Sequence, residues 1–135
     1  MYADTSALVK LLVDAPERPA LSSYLSATEP LLVGSGLTVT ELLRVASGRH
    51  GVPQARVDEL LTTLDMLALD GALLRRAGLL PSPPGTFLRS ADAIHVVAAM
   101  DLAATEFLTY DRRQAQAALQ ARFAVRSPGL PTGWF

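Results

Sequence analysis

Five short apolar segments, Met1–Ala3, Leu31–Val33, Met66–Leu69, Phe107–Tyr110 and Ala124–Arg126, alternate with stretches whose apolar residues recur at helical spacing. That alternation predicts a mostly parallel sheet with helices on both faces, a three-layer α/β fold. Helices are expected from about Ser6, with Leu8, Leu11 and Leu12 on one face, and over Arg18–Ala27. Others are expected over Thr38–Arg49, Gln54–Leu64, Gly71–Leu80, Ser90–Met100 and Arg112–Ala121. Gly34-Ser35-Gly36 reads as a loop after the second strand, and Gly51 with Pro53 stops the helix that begins at Thr38. Pro81–Gly85 interrupts the pattern but is too short to link folding units. The 135 residues, half of them hydrophobic, suit one domain spanning 1–135 with a real core.

In a parallel sheet, ligands sit beyond the carboxyl ends of the strands, near the switch in strand order. Acidic residues cluster at positions that this topology sends to that edge. Asp4 and Asp111 follow strands directly, Glu41 follows the second strand after a loop and a helix start, and Asp92 opens a helix. Each also has a purely structural explanation. Asp4 and Asp111 suit helix caps, Asp92 suits a first helical turn, and Thr38-x-x-Glu41 matches a capping box. Taken together they say more. Four converging carboxylates repel one another, and a hard divalent cation such as Mg²⁺ or Mn²⁺, which prefers oxygen ligands, removes that cost. Such an ion can activate a water for in-line attack on a phosphodiester without any histidine or cysteine.

Composition narrows the chemistry further. The absence of cysteine excludes disulfides, zinc–thiolate sites and thiol catalysis, and suits the cytoplasm. No apolar run reaches the roughly 18 residues of a membrane span, and the N-terminus does not read as a signal peptide. A net charge of −1 gives no global attraction for nucleic acid, so a polyanion would be held locally. Arginine supplies 11 of the 12 basic residues, and Arg89, Arg112 and Arg113 flank the acidic segments as candidates for phosphate contact. His95, three residues after Asp92, reads as a core or supporting residue, because oxygen ligands are already sufficient.

The segments that carry these acids resemble the PIN-domain ribonucleases, and among them the VapC toxins of bacterial toxin–antitoxin pairs. Tyr2-Ala-Asp-Thr-Ser-Ala-Leu-Val-Lys-Leu-Leu12 is similar to the first family motif. Ser35-Gly-Leu-Thr-Val-Thr-Glu-Leu-Leu-Arg44 is similar to the second, Leu88-Arg-Ser-Ala-Asp-Ala-Ile-His-Val-Val-Ala-Ala-Met100 to the third, and Phe107-Leu-Thr-Tyr-Asp-Arg112 to the fourth. The resemblance implies a PIN-like fold and Mg²⁺- or Mn²⁺-dependent endonucleolytic cleavage of RNA. It makes Asp4, Glu41, Asp92 and Asp111 the metal-site acids, with Asp4 and Asp92 the first choices for direct contact. Ser6 falls at a small polar position that would orient Asp4 or a bound water, and Arg112 would help position substrate. The implied partners are an RNA substrate and a cognate antitoxin whose C-terminal segment covers the active site. The helical segments Leu42–Arg49 and Val57–Leu64 are candidates for its apolar groove. A homodimer is implied as well, and no membrane.

Other readings of the same residues are a PIN-fold nuclease without a toxin role, acting in RNA processing or on DNA, and a non-catalytic α/β protein-binding module. A phosphatase of the haloacid-dehalogenase type would need a second aspartate two residues after Asp4, where Ser6 stands.

Overall fold

A computed structural model describes residues 1–135. Strands β1 (Tyr2–Ala3), β2 (Val33–Ser35), β3 (Asp65–Leu67), β4 (Glu106–Leu108) and β5 (Ala124–Arg126) form one sheet in the order β3-β2-β1-β4-β5. Every pairing is parallel. The helices are α1 (Thr5–Leu12), α2 (Arg18–Thr28), α3 (Gly36–Leu43), α4 (Gln54–Leu61), α5 (Gly71–Leu79), α6 (Ser90–Asp101) and α7 (Arg112–Gln120). This is the layered α/β architecture expected from the alternating pattern.

Side-chain alternation along the strands divides the interior in two. Tyr2 and Phe107 enter one core with Leu73, Val96 and Phe123, beneath α5, α6 and α7. Their neighbours Ala3 and Leu108 enter the other, with Leu8, Leu21, Leu42 and Val57 from α1 to α4. The central strands are therefore buried on both faces and read as continuous apolar runs. Leu42, Val57 and Leu64, considered above for a partner groove, are core residues.

Two expectations need correction. β2 lies two residues later than predicted, so Gly34 and Ser35 are strand rather than loop. A Cβ at Gly34 would meet Met66 Sδ at 3.1 Å and Thr38 Oγ1 at 3.3 Å, so glycine answers a close packing contact there and not a turn. The following helix then begins at Gly36, with Ser35 as its N-cap and Thr38 Oγ1 accepting from Ser35 N at 3.3 Å. Thr38 is thus the third helical residue, and Glu41 lies beyond the capping turn. The same helix does not run uniformly to Arg49. From Arg44 to Arg49 it widens into a π-helical turn.

The strand order reverses beside β1, between β2 on one side and β4 on the other. Asp4 follows β1 and Thr109 follows β4, so both stand at the carboxyl edge of the switch point. Phe107 anchors this centre, with ring centroids 5.1 Å from Tyr2 and 5.7 Å from Phe123. Phe107→Ala is expected to cost about 3–5 kcal/mol. Urea titration should show a lower midpoint with an unchanged slope.

Candidate functional site

One cavity of about 500 Å³ opens at this edge and is lined by Asp4, Glu41, Asp92 and Asp111 together. The four come from the end of β1, from α3, from α6 and from the start of α7. Ser6 and His95 also line it, as do Arg44, Arg49 and Arg89. None of these three arginines belongs to an ion pair. Arg112 is exposed and is not part of the lining.

Three of the four acids also perform the helix-start duties that local sequence suggested. Asp4 caps α1, accepting from Ala7 N at 3.1 Å. Asp92 Oδ2 accepts from Arg89 N at 3.2 Å. Asp111 caps α7, accepting from Arg113 N at 2.8 Å and Gln114 N at 3.2 Å. Capping and facing a shared cavity are compatible, because a cap points its carboxylate back past the helix N-terminus.

Asp4 is the most constrained. It is buried, and both oxygens are engaged. Ser6 Oγ donates to Oδ1 at 2.6 Å, and Thr109 Oγ1 donates to Oδ2 at 2.5 Å. Ser6 Oγ in turn accepts from Tyr110 N at 2.8 Å, tying α1 to the residue that follows Thr109. Burial raises the Asp4 carboxyl above its ordinary pKa, against the opposing pull of His95 and these hydrogen bonds. Thr109 was missed by sequence reading. It is 105 residues from Asp4, and its only local signal was its place at the end of an apolar run.

Glu41 behaves oppositely. Burial pushes its pKa up, but hydrogen bonds from His95 and Thr5, with the attraction of His95, outweigh that and lower it. Asp92 is half-buried. Its pKa is raised, first by burial and then by the neighbouring charge of Asp111. The site thus contains carboxylates whose negative charge is poorly compensated by the protein.

Oxygen donors on several elements fit a hard divalent cation, and the Asp92–Asp111 repulsion is what such an ion would relieve. No three acidic or histidine side chains form a ready-made cage. Mg²⁺ often needs only one or two carboxylates, with water and substrate oxygens completing its shell. The residues present therefore fit Mg²⁺ or Mn²⁺.

The PIN domain family matches residues 1–119. Ribonuclease VapC47 of Mycobacterium tuberculosis is 38% identical over 136 residues, an alignment covering 96% of this chain and 97% of that protein. Ribonuclease VapC35 of the same organism is 37% identical with the same coverage. Among solved structures, FitAcB from Neisseria gonorrhoeae superposes with a TM-score of 0.71 at 22% identity, covering 94% of this chain and 96% of that one. Mycobacterium tuberculosis VapC20, described as a sarcin–ricin loop cleaving toxin, gives a TM-score of 0.70 at 17% identity, covering 86% and 93%. These two structures share the fold.

The raised pKa of Asp92 fixes the sign of a stability test. A carboxylate held above its unfolded pKa costs stability when ionised, and that cost disappears once both states are protonated. Asp92→Asn should raise the Tm of the metal-free protein at pH 7. The gain should vanish below about pH 3.9, the ordinary aspartate value.

Proposed function

The chain belongs to the PIN-domain family and is closely related to VapC toxin–antitoxin ribonucleases, and from that premise we propose that it is a Mg²⁺- or Mn²⁺-dependent endoribonuclease. It would act as the toxin of a toxin–antitoxin pair, within one PIN-like domain over residues 1–135. The observation that carries this reading is the meeting of four acids from four elements in one cavity at the sheet's switch point.

Asp4 and Asp92 are assigned direct contact with the cation, and Asp111 a weaker contact or one through water. Glu41 is assigned either metal contact or orientation of the attacking water. When bound, the ion lowers the pKa of that water and stabilises charge on the phosphodiester as it is attacked. Ser6 and Thr109 hold Asp4 in place by donating to its two oxygens. Arg44, Arg49 and Arg89 supply uncompensated positive charge around the acids, suited to the phosphates on either side of the scissile bond. Arg112, outside the lining, would reach only more distant phosphates. The same mixture of charges suits an antitoxin C-terminal segment that places a basic side chain among the acids. A homodimer working in the cytoplasm completes the proposal. No helix is long and apolar enough to cross a membrane.

Purified protein incubated with total RNA and Mg²⁺ should produce new ends at defined sequences, and chelator should abolish them. Asp92→Asn should cleave roughly 100-fold more slowly or worse. Cleavage by Asp92→Asn at the wild-type rate would remove that residue from the site. Cleavage unaffected by chelator would remove the metal.

A further inference from the structure

Behind the cavity, a chain of buried polar groups ends on Glu41. His95 Nε2 lies 2.8 Å from Glu41 Oε2, and His95 Nδ1 lies 2.8 Å from the Tyr2 hydroxyl. The Tyr2 hydroxyl is also 3.2 Å from Ser35 Oγ. Tyr2 and Ser35 are fully buried and His95 is nearly so. The chain therefore joins β1, the end of β2, α6 and α3 through side chains alone. His95 and Tyr2 also meet edge to face, with centroids 5.8 Å apart, which limits rotation of the imidazole.

The pattern of bonds on Glu41 is asymmetric. Thr5 Oγ1 donates to Oε2 at 2.6 Å, so Thr5 and His95 both bind the same oxygen. Oε1 takes part in no hydrogen bond within the protein. A glutamate has three side-chain torsions to fix, and a carboxylate gripped through one oxygen by two donors retains few orientations. An ionised Glu41 can only accept, so Nε2 carries a proton. Nδ1 faces the Tyr2 hydroxyl at 2.8 Å, and that hydroxyl is itself fixed by donating to Ser35 Oγ. Tyr2 thereby holds the imidazole with Nε2 turned toward Glu41.

We infer that Tyr2 and His95 are positioning residues, which clamp one oxygen of Glu41 so that the other is presented to water and RNA in the cavity. The inference rests on the nuclease reading and extends it to two residues that act through Glu41. It assigns His95 more than a packing role. It also gives Tyr2 a function distinct from its ring's place in the core.

The test compares Tyr2→Phe, His95→Gln and His95→Asn with wild type in Mg²⁺-dependent cleavage of one RNA oligonucleotide. Tyr2→Phe removes a single oxygen and keeps the ring. It should lower kcat roughly 10-fold while KM changes less than about twofold. The glutamine amide nitrogen can occupy the place of Nε2, so His95→Gln should stay within roughly 10-fold of wild type. Asparagine cannot reach Glu41, so His95→Asn should lose roughly 100-fold. Nitrogen NMR of the imidazole supplies a readout independent of turnover. In wild type, Nε2 should be protonated and Nδ1 hydrogen-bonded, and Tyr2→Phe should move the Nδ1 signal toward its unbonded position.

Wild-type cleavage accompanied by unchanged kcat in both Tyr2→Phe and His95→Asn would overturn the positioning role alone. So would an Nε2 that carries no proton, or an equal loss in the glutamine and asparagine variants. No cleavage by wild type would overturn the nuclease reading and the positioning role together. Should His95→Asn fail to fold, Tyr2→Phe decides the matter by its kcat and its Nδ1 signal.

Discussion

A buried, fully hydrogen-bonded aspartate holds this structure's functional edge together. Asp4 follows the central strand, caps the first helix and accepts from the hydroxyl of the residue after β4. Burial of a carboxylate is costly unless its oxygens are satisfied, and here the protein satisfies both with Ser6, Thr109 and the Ala7 amide. Those partners fix the relative placement of β1, α1 and β4 at the switch point. The other acids then enter a cavity whose floor is already set.

The acids are not equivalent, and the differences follow from their neighbours. Glu41 has hydrogen-bond donors on one oxygen and is held ionised. Asp92 has a single backbone donor and a like charge nearby. Asp111 is partly exposed and spends its Oδ1 on two helix amides. Asp92, with one donor and the like charge of Asp111 beside it, is the acid of the outer cavity that the protein satisfies least. A cation bound beside Asp92 would relieve its repulsion from Asp111.

Much of this was legible in the chain itself. Strand–helix alternation predicted the layers. Asp4, Asp92 and Asp111 lie at the strand end and helix starts that local pattern indicates, and Glu41 lies farther into α3. What escaped was set by tertiary contact. Thr109 reaches Asp4 from 105 residues away, and no local rule relates them. Gly34 looked like a turn glycine, yet close packing against Met66 and Thr38 demands it within β2. That displacement moved the helix start and released Glu41 from the capping role its spacing suggested. His95 was correctly read as sitting inside, but its double engagement with Tyr2 and Glu41 depends on three elements packing together. The π-helical turn over Arg44–Arg49 carries two cavity arginines and had no signature among residues compatible with an ordinary helix.

The proposed activity depends on acids distant in sequence holding a divalent cation in common. The most direct measurement is paramagnetic broadening of backbone NMR signals during titration with Mn²⁺. The account predicts selective loss of signals from Ser6, Glu41, Asp92 and Asp111, reversed by chelator and absent in Asp4→Asn. Signals in α5 and in the C-terminal segment should persist. Broadening centred on any other face, or equal broadening in Asp4→Asn, would contradict it.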